Sequence, residues 1–131
     1  MAKFGEMFQE ADWKQEKHVP VIKAPGRIGK GEPCAITVGV GAEVSHPNTT
    51  AHHIRWIRVF FLPRGAKFPY HVATIEFAAH GESTDGADTS GVYTHHQATV
   101  HLKTDHPGTI LASSYCNIHG LWESEKELDV G

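Results

Sequence analysis

The chain has 131 residues, 40% hydrophobic and 21% charged, which predicts one globular domain over 1–131 and excludes a disordered chain. A net charge of -3 gives no basic footprint for nucleic acid, and no apolar run is long enough to span a bilayer. Two cysteines exclude a disulfide framework, no CxxC pair is present for a zinc ribbon, and the outlier is histidine, at 11 residues.

The N-terminus "MAKFGEMFQEADWKQEK" lacks the apolar stretch of a signal peptide, so the expected compartment is the cytoplasm. Its one helical candidate is short, Glu6 to Glu16, with Met7, Phe8 and Ala11 on roughly one side. "EKHVPVI" follows and leads into an edge strand. In an extended chain Glu16 and His18 share a face and Lys17 takes the other. By themselves these three residues read as an exposed charged turn.

From there the period is two. "PCAITVGVGAEV" alternates Cys34, Ile36, Val38 and Val40 against small or polar residues, and Cys34 reads as core. "SHPNTTAHH" places His46, His52 and His53 in a loop and the start of a strand, stiffened by Pro47 and by the hydrogen-bonding side chains of Asn48 and the threonines. One of the adjacent pair points inward and one outward, and periodicity does not say which. In "HIRWIRVFFLP", Arg55 and Arg58 have opposite parity, which predicts a bulge or partly two-sided burial. "HVATIEFAA", "HQATVHLKT" and "GTILASSYC" are further short strands, separated by Gly-, Pro-, Asn- and Asp-rich turns. The pattern predicts an all-β protein, an antiparallel sandwich or barrel with at most a short N-terminal helical turn. His71, His80, His95, His96, His101 and His106 have no repeated spacing and are assigned to solvent, interfaces or satisfied hydrogen bonds.

"SSYCNIHGLW" closes the argument. "ILASSYC" reads as a strand and "NIHG" as the turn that ends it, so the Cys116 thiolate and the His119 imidazole can face one point. A metal site and a buried structural cysteine beside a turn histidine both fit that spacing. A blue-copper electron carrier is the competing metal reading. It wants an axial methionine shortly after, and the only methionines are Met1 and Met7.

Taken in order, "EKHVPVI", "HPNTTAHHI", "FAAHGES" and "SYCNIHGLW" resemble the iron-binding domain of the superoxide reductases, the neelaredoxin and desulfoferrodoxin family, from about Asp12 to Leu128. The resemblance is to the single-iron form, since the four-cysteine module of larger members has no counterpart here. It implies an immunoglobulin-like β-sandwich with one mononuclear, non-haem iron near one end. The implied equatorial ligands are His18, His46, His52 and His119, with Cys116 axial. Glu16 would take the sixth position in the oxidised resting state, and Lys17 would sit near that position on a mobile loop. The implied activity is reduction of superoxide to hydrogen peroxide with electrons from a rubredoxin-like donor, in a homotetramer.

Overall fold

The computed structural model describes residues 2–131. Eight strands follow in order: β1 (Pro20–Lys23), β2 (Arg27–Ile28), β3 (Cys34–Val40), β4 (Ile54–Pro63), β5 (Tyr70–Glu76), β6 (Gln97–Leu102), β7 (Gly108–Cys116) and β8 (Gly120–Val130). They form a β-sandwich of a three-stranded sheet, β1-β3-β6, and a five-stranded sheet, β2-β8-β7-β4-β5. Every pair is antiparallel except β2 with β8.

Alternation drives the sandwich. Ile36 and Val38 of β3, Ile57 and Val59 of β4, Ile110 and Ala112 of β7 and Leu128 of β8 all point into one core between the sheets. Burying each large aliphatic side chain contributes roughly 1.5–3 kcal/mol. Cys34 and Cys116 are both buried and free. The parity break at the arginines is a bulge: the β4–β7 register runs from Ile54↔Cys116 directly to Trp56↔Tyr115, so Arg55 is the unpaired residue. Arg55 is thereby exposed, while Arg58 lies over the Trp56 ring at 4.0 Å.

The helical candidate Glu6 to Glu16 does not form. The described residues hold one 3-10 turn, Phe4–Met7, with no side-chain cap. The chain then runs extended because the Gln9 main chain pairs with β8, its N–H donating to Leu121 O and its carbonyl accepting from Glu123 N. Strand β8 itself goes beyond the sequence expectation. Its outward positions carry charge, and only Trp122 and Leu128 are buried.

The topology brings the start of β1, the end of β3, the start of β4, the end of β7 and the start of β8 to one end of the sandwich, as the partners Pro20↔Val40, Ile54↔Cys116 and Cys116↔Gly120 require. Two hydroxyls from the five-stranded sheet cross to β1 and the residues just before it: Ser114 Oγ donates to His18 O at 3.2 Å, and Ser124 Oγ donates to Pro20 O.

Candidate metal centre

Each histidine at this end sits just outside a strand. His18 precedes β1 by two residues, His46 follows β3, His52 precedes β4 by two, and His119 immediately precedes β8. Two glycines let the backbone turn there. Gly41 has φ +79, and a Cβ would come within 2.7 Å of His46 N. Gly120 has φ +82 directly after His119.

The four imidazoles close a ring. His18 contacts His46 (centroids 4.8 Å apart), His46 contacts His52 (4.9 Å), His52 contacts His119 (5.1 Å) and His119 contacts His18 (4.7 Å). One ligand atom from each of His18, His52, Cys116 and His119 lies within 4.8 Å of all the others. His46 is not part of that group of four atoms and joins the quadrilateral through its ring contacts with His18 and His52. His18 Nε2 and His119 Nδ1 are 3.0 Å apart. That is about the separation of two nitrogens placed at right angles, roughly 2.1 Å from one cation. Cys116 Sγ is 3.9 Å from His119 Nδ1 and accepts the His119 main-chain N–H at 3.4 Å.

The outer hydrogen bonds leave the inner nitrogens free to donate lone pairs. Glu16 Oε1 accepts from His18 Nδ1 at 2.6 Å and from His18 N at 3.1 Å. Pro47 O accepts from His46 Nδ1 at 2.6 Å. In both rings the Nδ1 proton is fixed outside, so Nε2 carries the lone pair. His46 Nε2 and His52 Nε2 are buried without a hydrogen-bond partner among the described residues. Orphaned buried acceptors are costly unless something occupies the space they face. Several neutral imidazoles plus one sulfur suit a first-row transition metal.

Electrostatics agree. Burial lowers the pKa of His18, against the raising effect of Glu16. Burial holds His46 at about 4, with a raising contribution from Pro47 O and lowering ones from the neighbouring imidazoles. His52 is lowered by burial, then by His119, His18 and Lys17. The rings are therefore neutral near pH 7, as metal binding requires. Burial pushes the Glu16 carboxyl up, but the His18 hydrogen bonds and charge pull it below its ordinary value. Glu16 thus stands behind His18, and Lys17, half-buried, lies near enough for its charge to act on both His18 and His52.

His53 is also buried, but its ring serves another purpose. Its Nδ1 donates to Thr49 O at 2.9 Å, and its face stacks on His80 at 3.4 Å and 7°. His80 Nε2 in turn donates to Phe77 O at 2.5 Å. The burial of His53, His80 and His96 goes beyond the sequence reading, which sends the last two to solvent, interfaces or satisfied bonds; His80 and His96 each keep an Nδ1 without a partner among the described residues. Trp122, stacked on His18 at 4.9 Å and 12°, also gives no signal in the sequence beyond lying three residues after His119.

A metal-binding β-sandwich is the class that these features define. Residues 10–125 match the Desulfoferrodoxin family, and the chain belongs to that family. The chain is 53% identical over 124 residues to the neelaredoxin of Megalodesulfovibrio gigas, covering 95% of each. It is 52% identical over 125 residues to the superoxide reductase of Pyrococcus furiosus, covering 95% of this chain and 98% of that one. The structure of the superoxide reductase (neelaredoxin) from Archaeoglobus fulgidus in the reduced form superposes with a TM-score of 0.88 at 54% identity, covering 94% of this chain and 98% of the other. Family membership implies iron as the metal. No helix among the described residues is long and apolar enough to cross a membrane.

Proposed function

We propose that the protein is a superoxide reductase of the cytoplasm that binds one mononuclear iron per chain through His18, His46, His52, His119 and Cys116. The observation that carries this reading is the closed quadrilateral of imidazoles with one cysteine sulfur beside it. When bound, the iron supplies one electron to superoxide and is reduced again by an external, rubredoxin-like donor. Each superoxide takes up that electron and two protons and leaves as hydrogen peroxide.

The chain's own residues divide the remaining work. Four neutral imidazoles add no charge, so the centre stays cationic and attracts a small anion. The Cys116 sulfur, with the His119 N–H directed at it, is held as an electron-rich donor on one side of the imidazole ring. Lys17 adds positive charge at the entrance and draws superoxide in against the net charge of the whole protein. Glu16 fixes the His18 tautomer as long as its carboxylate stays on Nδ1. The same carboxylate would be the one available to a bound iron in the oxidised protein, and would have to leave His18 Nδ1 to reach it. The functional assembly is a homotetramer, supported by the resemblance stated above.

Yield is the deciding measurement. Superoxide pulsed anaerobically onto the reduced, iron-loaded protein should give one peroxide per superoxide and no dioxygen. Half that peroxide with dioxygen released is spontaneous dismutation and would refute the reading.

A further inference from the structure

One side chain outside the proposed ligand set, Trp122, reaches two of its members at once, and a second, Gln9, reaches one of the same two. Trp122 lies at the start of β8 and is 8% exposed. Its indole stacks on the His18 imidazole, while its Nε1–H donates to the His119 carbonyl at 3.3 Å. That carbonyl accepts a second bond, from Gln9 Nε2 at 3.0 Å, across 110 positions of sequence. Gln9 is fixed in turn by main-chain bonds on either side of Trp122, to Leu121 and Glu123, at 3.0 and 2.9 Å.

We infer that Trp122 and Gln9 act together as a clamp that positions His18 and His119 for the metal, with the N-terminal strap as part of the centre. The inference rests on the ligand assignment proposed above. An imidazole tied at Nδ1 alone can still rock about that bond, because its outer torsion is broad. A parallel indole against its face removes that freedom. His119 sits in an exposed turn, where the tilt of one peptide plane sets the direction of the side chain. Two donors on its carbonyl use both lone pairs and fix that plane. Apolar filling alone would account for the burial of Trp122. It would not account for two independent donors meeting on the carbonyl of a proposed ligand.

The test uses the iron-loaded full chain and three variants, Trp122→Leu, Gln9→Ala and the double variant Trp122→Phe/Gln9→Ala. The Phe in the double variant keeps an aromatic stack and removes both donors. Trp56→Phe is the control, because Trp56 stacks on Tyr115 instead. Two quantities are read, the rate of iron loss to excess ferrous chelator and the ferric electron paramagnetic resonance spectrum. Trp122→Leu should lose iron about 10–100-fold faster, the usual range for residues that orient metal ligands. Gln9→Ala should fall at the lower end of that range, and the double variant should exceed Gln9→Ala. All three should broaden or shift the ferric signal, and Trp56→Phe should leave both readouts at the parental values. Parental rates and an unchanged signal in Gln9→Ala and the double variant overturn the clamp, even if Trp122→Leu does not fold. Failure of the ligand assignment is a separate outcome, shown by His119→Ala retaining iron with the parental spectrum.

Discussion

Two histidine clusters lie side by side in this protein and use the same side chain in opposite ways. In the first, His18 and His46 place their Nδ1 protons on Glu16 and Pro47, and the free Nε2 atoms turn inward with His52 and His119 toward one point. In the second, His53 and His80 stack face to face, each giving one ring proton to a backbone carbonyl. Convergent edges suit coordination, and a parallel stack suits packing. The residue type and even the sequence neighbourhood are shared, since His52 and His53 are adjacent. The acceptor that each ring meets makes the difference.

The comparison breaks hardest at the sulfur. Cys116→Ser is expected to abolish the visible thiolate-to-ferric band of the iron-loaded protein, and an unchanged absorption spectrum would remove Cys116 from the proposed ligand set. Acid should expose the cost of neutral burial next. Burial holds His46 and His96 at about 4, against 6.5 for an ordinary histidine. Between those values the unfolded chain binds more protons than the folded one, so the stability of the metal-free protein falls as pH drops from 6.5 to 4. Each ring accounts for about 3 kcal/mol of that loss. Urea unfolding at stepped pH measures the slope, and His96→Leu should flatten it; equal slopes in the two proteins would contradict the assignment.

Smaller effects sharpen the contrast. Lys17→Ala should slow superoxide capture about 10-fold at low ionic strength and weaken its salt dependence. Stopped-flow rates that coincide across the salt series would exclude Lys17 from steering. His80→Phe keeps a ring against His53 but leaves Phe77 O without its donor. It should cost about 1–3 kcal/mol in urea unfolding while iron affinity stays near parental. A large loss of iron affinity in that variant would mean that the two clusters are not separate.

The sequence reading succeeds where the determining interactions are local. The alternation in "GTILASSYC" ends at the same residues as β7, and the parity of Arg55 and Arg58 announces the bulge beside the centre. It fails where a distant partner decides. Met7, Phe8 and Ala11 suggest a helix, yet Gln9 pairs with β8 and holds the segment extended. Strand β8 is hidden because Glu123, Glu125, Glu127 and Asp129 line one face and Ser124 and Lys126 interrupt the other, which leaves little apolar alternation to detect. For the centre, the motifs single out the donors, and the resemblance built on them picks His52 over His53. In the structure Thr49 O engages the His53 ring, while His52 Nε2 has no hydrogen-bond partner among the described residues.

The sequence by itself determined the strand pattern, the stock of nitrogen and sulfur donors and the spacing that puts Cys116 and His119 on one turn. Only the tertiary structure decided that His18 and His119, 101 positions apart, stand 3.0 Å from each other, and which ring nitrogen of each imidazole is left free. For His18 and His46 the physical reason is that the lone pair is aimed by the acceptor on the opposite side of the ring, Glu16 or Pro47 O. Those acceptors come together only when both sheets close on the core.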